Sequence, residues 1–486
     1  MVASNVTGKA GEAGGPLVRV WRTEELGERP EREVRRLLRR GFGSEVSDGP
    51  GAGGVEVAPE VMARTLAIFG EPLSPLQAVE RIVRDVARRG DEAVVEWTWR
   101  IDGVKLEPED FWLGPADFEK AFQSLDLATR DDLEMAAERI RRFHRAALPK
   151  GFFLQDEAGN VMGQRFVPLE RVAAYVPGGR APLFSTLLMT VVPARIAGVD
   201  EVIVATPPGP GGEVHPAVLA AARLAGASRL LRVGGAQAIA ALAYGTASIP
   251  AVDKIVGPGN LFVTLAKRLV FGAVGIDMLA GPSEVVVVAE KLAGTDPAHL
   301  AADLLSQAEH DPDAACILVA DDVELAKQVL HELEEQVETL PRAPVAREAL
   351  TRHGCVFVVR NLEEAARIVN AIAPEHLELQ LKDPWAFLSQ VRHAGAIFLG
   401  PHSCEPLGDY LAGPNHVLPT GGAARYASML GVEDFLRRSS VLQVSEEGLL
   451  EIGGTAVRLA RMEGLEAHAR SVARRLGEDE TGEGKA

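Results

Sequence analysis

The sequence predicts an α/β protein with two Rossmann-like parallel-sheet domains, and three observations carry that expectation. Short strand patterns alternate with helical patterns from Val172 onward. The strands are almost wholly apolar, and glycines stand just after successive strands. In chain order, "VAAYV" reads as a strand, "PGG" as a turn and "LFSTLLMTVVPARIAG" as a helix. "EVIVATP", "HPAVLAAARLAG", "RLLRVGG" and "AQAIAALAYG" repeat strand and helix, and "KIVGPGN" and "EVVVVAE" continue the alternation. Strands apolar on both sides belong to a sheet covered on both faces. A second α/β region runs from Glu284 to Phe398, with strands "CILVA", "VFVVR" and "AIFLG". Upstream, Pro59 to Pro149 is helical in pattern. The first fifty residues hold a short charged helix and a glycine-rich linker, "SDGPGAGG". The tail after Gly431 reads as helical and ends in a frayed acidic "GEDETGEGKA".

Composition excludes several classes. The chain has 486 residues, 47% of them hydrophobic and 24% charged, as in ordinary globular proteins. Its length suits roughly two to four domains. No apolar run is long enough to span a bilayer, and the N-terminus lacks a basic start and an apolar core, so neither membrane insertion nor secretion is expected. The "NVT" at Asn5 is then a chance sequon. A net charge of −17 argues against nucleic-acid binding. The basic stretch "REVRRLLRRG" reads as one solvated helix face. Cys316, Cys355 and Cys404 are odd in number and lack CxxC spacing, which fits a reducing cytoplasm better than a disulfide framework.

Several polar groups invite a functional reading. "TDPAHLAADLLSQAEH" has Thr295 or Asp296 to cap a helix, Pro297 at its first position, and Leu300, Leu304 and Leu305 at helical spacing, with Pro312 as a stop. Gln307 and His310, three apart, then share one face at the helix end. No GxGxxG occurs. "YVPGGRAP", "VGGAQA" and "VGPGN" nevertheless set glycine after three successive strands, where backbone can approach a dinucleotide. "IAPEHLEL" sets Glu375 beside His376 after a proline able to start a helix. "CEPLGDY" gives Glu405 and Asp409 in a loop, and "AGPNHVLPTGG" adds His416. "ARMEGLEAH" holds Glu463 and His468, five apart, with Gly464 able to end one helix before the next begins.

Taken together, "YVPGGRAPLFST", "GGAQAIAALAYGT", "DKIVGPGN", "AGPSE", "SQAEH", "APEHLEL", "GDYLAGPNHVLPTGGAARY" and "EGLEAH" resemble the histidinol dehydrogenase family, in order and interval, from about residue 80 to the end. The N-terminal sixty residues match poorly and resemble an extended form of the family's short N-terminal element. The resemblance implies aldehyde-dehydrogenase-like folds for the two domains, with small N- and C-terminal helical extensions. It implies an N-terminal extension over 1–63, and a first α/β domain from 64–174 and 283–430 that carries most of the site. A second domain over 175–282 contacts NAD, and a C-terminal arm over 431–486 crosses to the partner of a homodimer with shared sites.

The resemblance also implies one zinc ion per subunit on Gln307, His310, Asp409 and His468. Glutamine is an unusual zinc ligand that spacing alone would not select. One carboxylate and three neutral ligands leave positive charge and open positions for the imidazole and amine of L-histidinol. Oxidation through L-histidinal to L-histidine consumes two NAD+, the last steps of histidine biosynthesis. His376 is implied as base for both hydride transfers and Glu375 as activator of water. Ser283 and Glu463 are implied to bind substrate together with Gln307, His310, His376, Asp409 and His468, and Tyr175, Gln237 and Asn260 to contact NAD. Glu405 and His416 lie close in sequence without an assigned role. The rival readings are a same-fold dehydrogenase for another alcohol and a non-catalytic zinc or nucleotide binder. Glu463 and His468 weigh against the first, and Glu375 with His376 against the second.

Overall fold

The computed structural model describes residues 17–26, 30–37, 59–178 and 182–477. Asn5, the 47–54 linker, Gly179 of the expected turn and the acidic tail lie outside them. In chain order the strands are β1 (Arg19–Arg22), β2 (Trp112–Leu113), β3 (Phe152–Gln155), β4 (Val161–Pro168), β5 (Arg171–Tyr175), β6 (Glu201–Ala205), β7 (Arg229–Leu231) and β8 (Lys254–Val256). There follow β9 (Gly275–Ile276), β10 (Glu284–Ala289), β11 (Ala315–Ala320), β12 (Cys355–Val358), β13 (His376–Gln380), β14 (Ala396–Leu399) and β15 (Leu436–Gln443).

The described residues divide into two compact units. The larger comprises residues up to Ala147 and Glu170–Phe435, and the smaller Leu148–Leu169 with the chain from Leu436. The larger unit holds two six-stranded sheets. One runs β1-β12-β11-β10-β13-β14, parallel throughout. Its β10 and β11 are buried along their whole length, as their valine- and isoleucine-rich sequences require. The other runs β2-β7-β6-β5-β8-β9, parallel except for the antiparallel edge pair of β2 with β7. The chain steps outward from β5 through β6 to β7, then returns to place β8 on the other side of β5. Adjacent strands that leave in opposite directions open a crevice at their carboxyl ends, the usual ligand position in such sheets.

Several sequence expectations need correction. The N-terminal segment is more than an appendage, because β1 pairs in register with β12, Arg19 opposite Cys355. Part of the segment 64–174 packs on the second sheet. Helices Pro75–Arg89 and Asp91–Asp102 share a core with Ala173, Ile203, Ile239 and Val263 of the second sheet and its helices. The C-terminal segment is not purely helical, since β15 pairs antiparallel along all of β4 and closes a three-stranded sheet with β3. "EHLEL" forms strand β13 rather than a helix, and "EPLGDY" is the helix Glu405–Tyr410 rather than a loop. The helix Pro297–Ala308 is capped by Asp296, whose side chain accepts from Ala298 N, but it ends four residues before Pro312. Gln307 therefore lies in its last turn and His310 just beyond it.

The glycine loop after β8 is held by a buried ion pair. Lys267 and Asp277 are 2% and 1% exposed. Lys267 Nζ donates to Gly257 O at 2.9 Å, and Asp277 Oδ2 accepts from Gly257 N at 2.7 Å. Gly257 has φ 107°, and a Cβ there would overlap the carbonyl oxygen of Tyr175. Removing one member of a buried pair leaves a charge without compensation. Lys267→Met is expected to lower unfolding free energy by about 3–5 kcal/mol, measured by urea denaturation. A loss under ~1 kcal/mol would show that the pair does not brace this loop.

Candidate active site

Strand β13 enters the first sheet between β10 and β14, and its sequence alternates His376, Leu377, Glu378, Leu379, Gln380. Leu377 and Leu379 pack with Val286 and Val288. Alternation puts His376, Glu378 and Gln380 on the opposite face, and all three are buried. That face is covered by the helix Pro297–Ala308, whose Leu300, Leu304 and Leu305 share a core with Val285 and Val287. The chain enters β13 through Ala373, the one non-glycine residue with positive φ (56°) among the described residues. A left-handed alanine is mildly strained. Here it ends the helix Leu362–Ile372 and turns Pro374–His376 into the sheet.

The result is a small enclosed cluster. His376 Nδ1 lies 3.2 Å from Glu284 O and 3.1 Å from Gln307 Oε1. A carbonyl oxygen can only accept, so Nδ1 carries the proton and Nε2 holds a bare lone pair. His376 Nε2 is buried without a partner, as is Gln307 Nε2. Burial pulls the imidazole down to a pKa of about 4, so it stays neutral. Glu375 accepts from Glu284 N at 3.0 Å and lies 3.8 Å from His376. Its pKa is pushed well above the ordinary range by burial, against the pull of that N–H. The Ser283 side chain also bonds to it.

The short helix Glu405–Tyr410 adds Glu405 and Asp409, one turn apart. Glu405 lies 3.8 Å from His376, with Oε2 buried and unpartnered. Burial and the surrounding carboxylates drive its pKa well up. Asp409 behaves oppositely. Burial raises it, but the hydrogen bond and charge of His416, with His376 and His310 nearby, prevail and hold it below the ordinary range. His416 Nδ1 sits 3.1 Å from Asp409 O and 3.5 Å from Oδ1, which gives this histidine an orienting position.

Ligand atoms of His310, Glu405 and Asp409 lie within 4.8 Å of one another. A nitrogen and two carboxylates at this spacing suit a divalent ion such as zinc. Crowded buried carboxyls with an orphaned oxygen are the surroundings a cation would neutralise. The structure thus brings together Gln307, His310, Glu375, His376, Asp409 and Ser283, and it adds Glu405, to which the sequence assigned no role. Glu463 follows the helix Glu446–Met462, and His468 lies within Glu466–Ala473. Both are exposed and belong to the smaller unit. Gly464, φ 74°, separates the two helices as expected.

The second sheet carries the other residues. Tyr175 ends β5, buried, and its hydroxyl accepts from Gly235 N at 3.0 Å. Gln237, wholly buried near the start of the helix after β7, donates to Asp102 at 3.3 Å and keeps an unpartnered Oε1. Asn260 caps the helix after β8, accepting from Val263 N at 3.2 Å. Tyr175 and Asn260 thus flank the β5/β8 crevice. The orphaned Gln237 acceptor and the side-chain-free Gly257 fit a dinucleotide lying there.

A proton-accepting imidazole among buried carboxyls, in a chain that also has a nucleotide-type sheet crevice, is the equipment of a pyridine-nucleotide dehydrogenase. Comparison with known proteins makes this particular. Residues 73–476 match the family model for histidinol dehydrogenase. A histidinol dehydrogenase of a Synechococcus strain is 52% identical over 395 residues, covering 81% of this chain and 91% of that protein. That of Aquifex aeolicus is 51% identical over 396 residues, covering 82% and 91%. The crystal structure of histidinol dehydrogenase from Elizabethkingia anophelis superposes with a TM-score of 0.83 at 32% identity, covering 95% of this chain and 98% of that one. The chain belongs to the histidinol dehydrogenase family and is an oxidoreductase of that type.

Proposed function

We propose that this chain oxidises L-histidinol through L-histidinal to L-histidine with two NAD+, closing histidine biosynthesis in the cytoplasm, as a zinc-dependent homodimer. The observation that carries the reading is the His376 tautomer. Its Nδ1–H is committed to Glu284 O, and its bare Nε2 is buried among the catalytic carboxyls. NAD+ supplies the hydride acceptor for both oxidations, against Tyr175, Gln237 and Asn260. Zinc on Gln307, His310, Asp409 and His468 supplies an anchor for the imidazole and amine nitrogens of the substrate. His376 Nε2 takes the hydroxyl proton as hydride leaves the alcohol carbon, and it does so again from the aldehyde hydrate. Glu375, held beside it by Glu284 N, takes a proton from the water that adds to the aldehyde. Its raised pKa suits a group that must accept a proton as well as return it. Ser283 and Glu463 hold the rest of the substrate. Glu463 and His468 both fit the histidinol pattern, so another alcohol is not favoured.

Glu375→Gln is therefore expected to slow histidinal oxidation by roughly 10²–10⁴-fold, and histidinol oxidation much less. Separate assays with each substrate check this, and equal slowing of both would remove Glu375 from the water step.

Metal dependence has its own test. Chelation is expected to abolish turnover and zinc to restore it, while NAD+ affinity, measured by calorimetry, stays unchanged because its contacts are on the other sheet. Full activity in metal-free protein would rule out the ligand set.

The dimer rests on the smaller unit. Among its described residues the hydrophobic cluster is Val457, Ala469 and Ala473, with Ala460, Val472 and Leu476 packed against it. All four residues of β3 are exposed, as are Leu442, Leu450 and Met462. So much uncovered apolar surface on so small a unit calls for a partner. A second copy that received His468 and Glu463 would cover it and complete each site. Mixing inactive His376→Ala and His468→Ala proteins in equal amounts is expected to restore about a quarter of wild-type sites after random exchange. Half the dimers are mixed, and each mixed dimer has one intact site. No recovery after verified exchange would place each site within one chain.

A further inference from the structure

We propose that Asp303 and Glu378 form a carboxyl clamp that positions the catalytic and metal-binding side chains without touching substrate. Glu378 is wholly buried on the polar face of β13, two residues past His376. Asp303 lies one turn before Gln307 on the helix that covers this face, so one helix face presents both. Gln307 meets His376 at 3.1 Å, and the Asp303 carboxyl faces that of Glu378. Two facing carboxyls join by a hydrogen bond only if one carries a proton, and the buried Glu378 Oε2, which has no other partner, is the oxygen left to make that link between strand and helix. Burial of the pair favours keeping that proton, and the nearby His299 acts on Asp303.

The other oxygen of Glu378 ties in a third element. Oε1 accepts from Glu405 N at 2.7 Å. That N–H opens the helix Glu405–Tyr410, whose own cap residue, Cys404, makes no side-chain capping bond. Glu378 thus caps from a neighbouring strand the helix that carries Glu405 and Asp409. One side chain connects the strand of His376, the helix of Gln307 and the helix of Asp409. Its loss would leave a helix N–H unsatisfied and let the ligand-bearing elements move independently.

The inference rests on the metal centre proposed above, and the variants separate the two. In Glu378→Gln the amide donates to Asp303 and its oxygen accepts from Glu405 N, so zinc affinity by chelator competition and kcat are expected within about threefold of wild type. In Glu378→Met both links are gone. Zinc affinity is expected to fall about 10–100-fold, as for other outer-shell partners of metal ligands, with kcat falling at saturating zinc and histidinol. The pair Asp303→Asn and Asp303→Ala makes the same comparison from the helix side, and decides if Glu378→Met does not fold. A part in folding alone would lower the melting temperature of these variants while folded protein kept its zinc affinity. Wild-type zinc affinity and kcat in folded Glu378→Met or Asp303→Ala would overturn the clamp, as would Glu378→Gln as impaired as Glu378→Met. A wild-type protein that takes up no zinc would overturn the metal reading instead.

Discussion

The site depends on burying a row of polar side chains on a strand in the middle of a sheet. A buried polar group without a partner costs roughly 1–3 kcal/mol, so His376, Glu378 and Gln380 constrain whatever packs on them. The covering helix must bring Gln307 and Asp303 to that face, at i and i+4, while its leucines fill the valine face of β10 beside it. The following segment must begin a helix where Glu378 can accept its first N–H. Much of the geometry around His376 is thus a consequence of satisfying one strand. Atoms left unsatisfied, His376 Nε2, Gln307 Nε2 and Glu405 Oε2 among them, concentrate where substrate and metal are proposed to bind.

The two sheets of the larger unit use their strand ends differently. In the second sheet Tyr175 and the Gly257–Asn260 loop stand at carboxyl ends, at the β5/β8 reversal, where an open α/β sheet ordinarily binds a ligand. In the first sheet the residues proposed to react stand at amino ends. Ser283 precedes β10, Glu375 precedes β13, and Val285 pairs with His376 in register. Backbone groups there still have a free side. Glu284 uses both of its own, N–H to Glu375 and C=O to His376. A single peptide neighbourhood therefore orients both proposed acid–base groups, which a site built from loops would need several residues to do.

Much of this was legible in the sequence, and the exceptions have physical causes. Apolar strands such as "EVIVA" and "EVVVVA" declared themselves because both faces are buried in hydrophobic contact. "HLELQ" has the strict alternation of a strand, but its polar half is buried too, so its neighbours on that face are carboxyls and amides and no sequence pattern announces them. Pro374 suggested a helix start, and the left-handed Ala373 turned it into a strand start. β1 was missed because four residues pairing at a sheet edge depend on β12, more than three hundred positions away. Thr23 just after it reaches the buried Glu364 at 2.7 Å. β15 was missed for the same reason, since its partner β4 lies far back in the chain. Motif resemblance singled out Gln307, His310, Asp409 and His376, which the fold gathers around one cluster. It left Glu405 without a role, because its closeness to His310 and Asp409 appears only once "EPLGDY" is a helix.

The chemistry follows from how unlike environments divide similar groups. Glu375, Glu405 and Asp409 are all carboxyls within one cluster, yet burial drives the first two up while the histidines around Asp409 hold it down. Asp409 is thereby kept as an anion, the form its proposed role as a metal ligand needs, and Glu375 is moved toward holding a proton. His376 is kept neutral by burial and given a fixed tautomer by Glu284. The proposed double oxidation needs one group that accepts a proton twice and a second that prepares water once. Separating the proton affinities of neighbouring groups lets a single pocket hold both roles. It also means that the side chains which set those environments matter as much as the groups they tune.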